Sequence, residues 1–264
     1  MRILMLGDIV GAAGLSAVLH VMPALRLEYE PDFVIVNGEN IAGGRGITGE
    51  AARRLLHNGV DVITMGNHTW HKADVIPLME KEPRVLRPAN YPPGTPGSGS
   101  GTYLAANGAA VFVANILGRA LMDPIDDPFR AAGVLIEEAR AKNASIICVD
   151  VHAETTSEKQ ALGLYLDGRA TLVAGTHTHV QTADERILPQ GTAYITDLGM
   201  CGPQDSVIGM KPETVLARFT SLRPQRFDIA EGPCQINGIL VTVARETGRA
   251  TAIERILRRD IEVD

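Results

Sequence analysis

Two histidines one residue apart, His177 and His179, follow a short apolar run at residues 170–173. The run is typical of a buried strand, and Gly175 indicates that the strand ends there. In an irregular turn beyond a strand, two such imidazoles can diverge, so that each reaches a different acceptor or ion. The pair therefore indicates either two metal ions that share one loop or two surface histidines, and the chain must supply the other ligands elsewhere.

Other apolar runs in the chain also lead directly into polar residues. Buried strands are predicted at residues 3–6, 33–36, 61–65 and 146–149. In an open α/β sheet, ligands bind in the crevice outside the carboxyl ends of the strands. The polar side chains beyond these five strand ends, which we expect to converge, are Asp8, Glu39, Asn67, His152, His177 and His179.

This set of side chains is a coherent group of metal ligands. Three imidazoles, two carboxylates and one amide oxygen make a mixed nitrogen and oxygen site without thiolate. Such a site suits manganese, iron or zinc better than calcium or copper. Carboxylates can bridge two metals, and two ions ~3.5–4 Å apart clamp a phosphoryl group during in-line displacement.

The elements that position these residues alternate between strands and helices in the first part of the chain. The rhythm predicts a sheet with parallel strands. Thr48 is the expected N-cap of a helix that ends at His57. We expect Pro23 to kink or divide an earlier helix at residues 15–29.

The middle of the chain departs from this alternation. Asn107-Gly108 lies between two apolar runs and predicts a tight hairpin turn. Asp127 and Pro128 are expected to open a helix that continues to about Lys142. Ser157 with Gln160 forms a candidate capping box for the next helix.

Composition and charge restrict the class of protein. A net charge of −6 without a basic stripe argues against binding to double-stranded nucleic acid, whereas a small anionic substrate held by metal ions remains compatible. An odd count of three cysteines without metal-site spacing favours a reducing compartment. No leader-like or membrane-spanning segment is found. We expect a cytoplasmic protein with a single domain over residues 1–264 and no membrane partner.

The order of the motifs resembles that of the calcineurin-like metallophosphoesterases, and within them the bacterial YmdB-type branch. The resemblance covers nearly the whole chain, including residues 196–200, and depends on five ordered blocks rather than on any single one. Those blocks are Gly7-Asp8, Gly38-Glu39-Asn40, Gly66-Asn67-His68, His152 and Gly175-Thr176-His177-Thr178-His179.

The resemblance implies a four-layer α/β/β/α sandwich, in which two mixed β-sheets are flanked by helices, and a dinuclear metal site. By motif position, the first ion is expected to be held by Asp8, Glu39, Asn40 and His179. The second is expected to be held by Glu39, Asn67, His152 and His177, so that Glu39 bridges. His68 would be the catalytic residue, either as general acid on the leaving oxygen or by stabilising charge on the phosphoryl group.

Two positions depart from the pattern of the wider superfamily. Val10 stands where the first block commonly has a second ligand, a histidine, and Glu39 stands where the bridging residue is commonly aspartate. We infer that Asn40 replaces the missing histidine on the first ion. Both departures are expected in the YmdB-type branch, which is associated with iron or manganese; zinc is also compatible with the ligand set.

The predicted function is that of a metal-dependent phosphodiesterase, a hydrolase of small cyclic nucleotides in which a hydroxide bridging two ions attacks phosphorus. We expect 2′,3′-cyclic nucleotides as substrates, with 3′,5′-cyclic AMP as the other candidate. The alternatives are a phosphomonoesterase or protein phosphatase with the same metals, or a non-catalytic regulator that binds metal and nucleotide. A homo-oligomer is left open.

Several residues keep a plainer interpretation at this stage. Asp8 could cap the helix that follows it, and His152 could be a hydrogen-bonded core residue. His71 is expected to support the site or to lie on the surface. The loop at residues 42–46 could form a backbone nest for a phosphate, helped by Arg45, or could be a flexible loop that closes the site.

Overall fold

The computed structural model of the protein describes residues 1–263. The strands alternate with helices in the first half and become mainly consecutive towards the end. In chain order they are β1 Arg2–Val10, β2 Phe33–Asn40, β3 Val62–Thr64, β4 Val85–Leu86, β5 Ser100–Leu104, β6 Ala110–Leu117, β7 Ile146–His152, β8 Leu172–Thr176, β9 Arg186–Ile187, β10 Ala193–Ile195, β11 Met200–Pro203, β12 Cys234–Ala244 and β13 Arg249–Ile261.

Six α-helices connect these strands within the described residues. They are α1 Gly11–Tyr29, α2 Gly49–His57, α3 Val75–Lys81, α4 Pro128–Ala141, α5 Thr156–Leu166 and α6 Pro212–Ser221. A short 3-10 helix at Thr69–His71 follows β3. No helix between residues 1 and 263 is long and apolar enough to cross a membrane.

The strands form two mixed sheets. The first has the order β13-β12-β11-β1-β2-β3-β4, with β12 also paired to β1. Its strands β1 to β4 are parallel, as is β11 to β1, whereas β12 and β13 are antiparallel to their neighbours. The second sheet has the order β5-β6-β7-β8-β10-β9, with parallel strands at its centre and antiparallel strands at both edges.

Alternation of apolar side chains along the strands produces four layers. In β1, Leu4 and Leu6 pack with the helices that cover the first sheet, whereas Ile3 and Met5 point to the opposite face. That opposite face packs against apolar residues of the second sheet, such as Val111. The other face of the second sheet is covered by α4 and α5. The predicted α/β/β/α sandwich of two mixed sheets is therefore confirmed.

Local signals were correct at some positions and wrong at others. Thr48 caps α2 by accepting a hydrogen bond from the amide of Ala51, and the predicted hairpin joins β5 to β6. Pro23 does not divide α1, which continues through it. The capping box at Ser157 is wrong, because Thr155 is the N-cap of α5 and accepts from the amide of Glu158.

Two strands extend further than their apolar runs. β1 continues through Asp8 to Val10, and β2 continues through Glu39 to Asn40, which pairs with Val10. These polar residues stay in the ladder and are buried, so the strand ends carry them into the interior. The parallel strands of both sheets end at the same edge of the sandwich, and the polar side chains of the two sheets meet there.

Candidate metal centre

All seven predicted ligands lie at this shared edge. Asp8, Glu39 and Asn40 come from the first sheet and are buried. His152 is the last residue of β7 and has no exposed surface, while His177 and His179 follow β8. Asn67 follows β3, where Gly66 allows a close approach. A Cβ atom on Gly66 would lie 2.2 Å from Glu39 Oε2 and 2.3 Å from His152 Nε2.

Four of the ligands converge on one point. His152 Nε2 lies 3.0 Å from Glu39 Oε1, 3.1 Å from Asn67 Oδ1 and 3.1 Å from His177 Nδ1. Metal–ligand bonds of about 2.0–2.2 Å place neighbouring donor atoms around one ion roughly 3.0–3.5 Å apart. These spacings match the predicted second ligand group, Glu39, Asn67, His152 and His177.

The other predicted group lies beside it. Asp8 Oδ1 is 4.0 Å from His179 Nε2. Within residues 1–263, Asp8 Oδ1 and Asn40 Oδ1 are buried without a hydrogen-bond donor, and Glu39 Oε1 has no donor other than His152 Nε2, 3.0 Å away. A buried acceptor without a partner costs about 1–3 kcal/mol, more when it is charged. Cations fit the need of these three acceptors, so the residues present suit two metal ions.

The three histidines share one hydrogen-bonding arrangement. Each uses its outer ring nitrogen for an acceptor: His152 Nδ1 donates to Thr176 Oγ1 at 2.8 Å, His177 Nε2 to Glu154 Oε2 at 3.1 Å and His179 Nδ1 to the carbonyl of Ile208 at 3.0 Å. In the neutral imidazoles these partners assign the tautomer, so that the inner nitrogen is the one that loses its proton and offers a lone pair to a metal. Metal-ligating histidines show this pattern.

The charges of the site favour a cation at its centre. The pKa of Asp8 is raised to about 6, chiefly because the carboxyl is buried. Burial lowers the pKa of His152, but the carboxylates of Glu39, Asp8 and Asp150 raise it more, to about 9. Burial raises the pKa of Glu39, but the charges of His152 and His68 and their hydrogen bonds to the carboxylate together outweigh burial and bring it to about 2. The ion-free protein therefore holds a proton on His152, where a metal would supply the positive charge.

The loop that carries His177 and His179 has a strained backbone. Their φ angles are 92° and 64°, in the left-handed region. Such conformations cost of order 1–3 kcal/mol each and persist only where the surroundings fix them. The two rings consequently point to different partners, His177 Nδ1 to His152 and His179 Nε2 to Asp8.

A buried ion pair fixes that loop. Lys159 of α5 has no exposed surface, and its Nζ donates to Asp197 Oδ2 at 2.6 Å and to Thr178 Oγ1 at 3.0 Å. Asp197 Oδ2 also accepts from the amide and the hydroxyl of Thr178, which stands between the two histidines. Sequence reasoning missed Lys159, because a lysine in a helix usually faces solvent. Asp197 lay within the residues that carried the resemblance, but no role was expected for it.

Asp150 joins the two sheets beneath the site and was also missed. Its carboxylate accepts from Thr64 Oγ1 and Asn37 Nδ2 of the first sheet and from Thr176 Oγ1 of the second. Thr176 Oγ1 in turn accepts from His152, so Asp150 orients that imidazole through one hydroxyl. A signal existed in the sequence: Asp150 is a carboxylate inside an apolar strand, two residues before His152 and therefore on the same face.

His68 lies at the edge of the ligand group. Its amide donates to Glu39 Oε2 at 3.1 Å, and its ring packs against that of His71 with centroids 4.7 Å apart. Burial lowers the pKa of His68. A neutral imidazole at neutral pH favours donation of an N–H hydrogen bond to a phosphoryl or leaving oxygen over full proton transfer.

The structure also decides between the plainer interpretations. Asp8 does not cap α1, whose N-cap is Val10. The backbone nest at residues 42–46 is wrong, because four of its five amides already donate to nearby backbone carbonyls. Arg45 is exposed, and its charge acts on His68. His71 supports the His68 ring, as expected.

Comparison with known proteins places the chain in a family. The model of the YmdB-like protein family matches residues 4–256. This chain belongs to the YmdB-like family. A Bacillus subtilis protein named 2′,3′-cyclic-nucleotide 2′-phosphodiesterase is 51% identical to it over 260 residues, covering 98% of each chain. The predicted family is confirmed.

Two solved structures resemble this YmdB-like protein along its whole length. A hypothetical protein from Thermus thermophilus is 46% identical, with a TM-score of 0.91 over 98% of this chain and 100% of that one. A structure described as a novel phosphatase from Mycoplasma pneumoniae is 35% identical, with a TM-score of 0.92 over 99% of this chain and 94% of that one.

Metal uptake by this YmdB-like protein should release protons. Ligation requires neutral His152, whose pKa in the ion-free protein is about 9, and ionised Asp8, whose pKa is about 6. The metal-bound state therefore holds fewer protons, and affinity should rise with pH up to about 9 and then level off. Calorimetric titration of Mn²⁺ in two buffers of different ionisation enthalpy counts the protons released. The exposed His20→Gln variant is the control, and uptake without proton release near pH 7.5 would contradict the assignment.

Loss of the buried ion pair should release the histidine loop. Lys159→Met leaves Asp197 buried without its cation, and we expect a loss of roughly 3–5 kcal/mol in the free energy of unfolding together with reduced metal content. Lys142→Met removes the exposed pair with Glu138 and should cost about 1 kcal/mol or less. Urea unfolding and elemental analysis of both variants measure the difference. Equal effects of the two substitutions would show that the buried pair does not hold the loop.

Proposed function

We propose that this protein is a metal-dependent phosphodiesterase that hydrolyses 2′,3′-cyclic nucleotides to 3′-nucleotides. The observation that carries the proposal is the convergence of Glu39, Asn67, His152 and His177 within about 3 Å beside the unpartnered oxygens of Asp8 and Asn40. The name of the Bacillus subtilis relative, which is 51% identical, supports this substrate.

The ligand set supports two ions with Glu39 between them. Asp8, Asn40 and His179 are the proposed ligands of one ion, and Asn67, His152 and His177 of the other. The proposed ligands include two amide oxygens and no thiolate. This set favours iron or manganese, and zinc is also compatible. Bound at this site, two such ions would polarise phosphoryl oxygens and lower the pKa of water to near neutrality.

Side chains of the protein orient the groups that take part in cleavage of the P–O bond. Water adds across the bond between phosphorus and the ribose 2′-oxygen, and that oxygen leaves with a proton. We propose that His68 donates its N–H to the leaving oxygen or to the phosphoryl group beside it. Outer hydrogen bonds to Thr176, Glu154 and the carbonyl of Ile208 keep the ligand imidazoles fixed, so these groups need little rearrangement as charge develops.

The charge around the site favours a diester over a monoester. Phosphomonoesters carry one more negative charge and call for additional cationic side chains near the metals. Arg45, the arginine that the sequence offered for this role, is exposed, and the buried Lys159 is already paired with Asp197. The monoesterase and the non-catalytic regulator are therefore the alternatives that the assay must exclude.

The test of function is an assay of purified protein whose bound metals have been measured. We expect hydrolysis of 2′,3′-cyclic AMP to 3′-AMP, slower turnover of 3′,5′-cyclic AMP and little of p-nitrophenyl phosphate, with all activity lost on chelation and restored by Mn²⁺ or Fe²⁺. Product identity is read by chromatography against 2′-AMP and 3′-AMP standards. If no ester is hydrolysed with any metal, the hypothesis that the protein is an enzyme is wrong. If the monoester is the preferred substrate, the protein is a phosphomonoesterase instead.

Substitutions should separate metal binding from turnover. Glu39→Ala removes the proposed bridge and should lose both ions, whereas His68→Ala should retain them and lower kcat by about 100- to 1,000-fold. His68→Asn keeps a side-chain N–H, so it should retain more activity than His68→Ala if donation is the role. The exposed His57→Ala variant on α2 is the control. Equal loss of metal in the His68 and Glu39 variants would show that His68 has been assigned wrongly.

A further inference from the structure

A cavity of about 320 Å³ opens beside the candidate metal centre. One wall is the 3-10 helix Thr69–His71 together with Asn67, and the other is the segment that follows β6. Its volume lies at the lower end of the range of small-molecule sites, roughly 300–1,000 Å³. We call it the aromatic cavity; the residues that matter here are Asn67, Trp70, Tyr91, Leu117 and Asp123.

The aromatic cavity is continuous with the proposed ligand group. Asn67, whose side chain lies 3.1 Å from His152 Nε2, forms part of its wall. Leu117 is another wall residue and is paired with His152 across β6 and β7. The next amide along, that of Gly118, donates to the carbonyl of His152 at 2.9 Å. A molecule whose phosphate lies at the metal centre can therefore extend into this cavity.

The far wall of the cavity is held in place by one buried side chain. Asn90 is 2% exposed, and its Nδ2 donates to the carbonyls of Leu117 at 2.7 Å and Asp126 at 2.9 Å. Its Oδ1 accepts from the amide of Leu117 at 2.9 Å. The segment that carries Asp123 is thus tied at both ends, and the cavity is preformed.

Two aromatic rings give the cavity its chemistry. Trp70 and Tyr91 are half-buried and meet edge to face, with centroids 5.6 Å apart and planes at 74°. Aromatic side chains of this kind bind nucleobases by stacking, which tolerates any base because every base has a π-face. Asp123 is exposed at the rim and forms no hydrogen bond or ion pair with another residue in the range 1–263.

We propose that the aromatic cavity is the nucleobase subsite, in which the base stacks on Trp70 and Asp123 accepts a hydrogen bond from an exocyclic amino group. The proposal rests on the proposed function, since it takes the phosphate to lie at the metal centre. Asp123 is an acceptor only, so it selects bases that carry an amino group, such as adenine and cytosine, over uracil.

Two other large cavities fit a nucleobase less well. A larger one, about 660 Å³, includes Arg130 and Val134 in its wall but none of the predicted ligands. One of about 380 Å³ touches His179 on the opposite side, and its described wall residues include Arg255 and Arg259 but no phenylalanine, tyrosine or tryptophan. Only the aromatic cavity, among these three, combines a ligand residue with stacking surfaces.

Kinetics of two diesters test the subsite. Trp70→Ala should lower kcat/KM for 2′,3′-cyclic AMP by about 10- to 100-fold and have a much smaller effect on ribose 2′,3′-cyclic phosphate, a diester with neither a base nor any other aromatic ring. Trp70→Phe keeps a ring and should restore most of the loss. Arg259→Ala, in the cavity beside His179, is the matched control. Equal loss of kcat/KM for both diesters, or no loss for either, would overturn the proposed subsite. The proposed function would still stand if the wild-type protein hydrolysed 2′,3′-cyclic AMP.

Binding can be followed without any substitution, because Trp70 is the single tryptophan of the chain. Adenosine has no phosphate to hydrolyse, and titration with it should quench the fluorescence of wild-type protein and inhibit hydrolysis of bis(p-nitrophenyl) phosphate. Ribose should do neither. If adenosine inhibits this hydrolysis but leaves the fluorescence unchanged, its base binds elsewhere and the proposal is overturned. This outcome does not depend on whether the enzyme hydrolyses cyclic nucleotides.

Cytosine and uracil provide the test of Asp123, since they are equal in size and differ in the amino group. Wild-type protein should prefer 2′,3′-cyclic CMP over 2′,3′-cyclic UMP by about tenfold in kcat/KM, as expected for a hydrogen bond to a charged acceptor. Asp123→Asn offers both a donor and an acceptor and should reduce the preference to near unity. A preference that survives Asp123→Asn would show that Asp123 does not read the base.

Discussion

The burial of three carboxylates at one edge of the sandwich is the constraint on which the site depends. Asp8, Glu39 and Asp150 are each at most 1% exposed. An ionised carboxylate in the interior needs hydrogen-bond donors or a cation, or it takes up a proton. Asp150 is satisfied by hydroxyl and amide donors, whereas Asp8 keeps one oxygen without a donor and Glu39 Oε1 has only the proton of His152. The fold therefore satisfies the carboxylate that joins the two sheets and leaves a need for positive charge at the carboxylates predicted to bind metal.

The same constraint explains why the imidazoles are so strictly oriented. If a neutral imidazole could flip, its N–H would donate to a buried carboxylate, and that carboxylate would gain less from a bound metal ion. Thr176, Glu154 and the carbonyl of Ile208 each occupy one ring nitrogen and prevent this exchange. The strained backbone at His177 and His179 belongs to the same arrangement, since Lys159 and Asp197 hold it from below. The fixed hydrogen bonds of the outer ring nitrogens thus keep the inner ring nitrogens directed at the proposed metal ions.

Much of this arrangement follows from patterns in the chain, and some of it could not. Apolar runs that end in polar residues located the strand ends, and the order of the motifs supplied the ligand set. The prediction that β2 ends where its apolar run ends, at residue 36, was wrong, because Glu39 and Asn40 continue the strand as buried polar residues. Lys159, Glu154 and Ile208 act through contacts between elements far apart in the chain, and no local period or spacing carries that information. Asp150 was within reach, since a charge inside an apolar strand is costly unless it has a task.

The division of the site between two kinds of structure bears on how specificity can change. The proposed ligands stand on or directly after strands of two sheets, whose hydrogen-bond ladders fix them together, so a substitution there disturbs metal and frame at once. Apart from Leu117 of β6, the aromatic cavity is built from a 3-10 helix and from segments outside both ladders, one of them tied by Asn90. Loops on a rigid scaffold tolerate change better than the scaffold itself. Residues such as Trp70 and Asp123 can therefore vary the bound base while the phosphoryl chemistry at Glu39 and His152 stays the same.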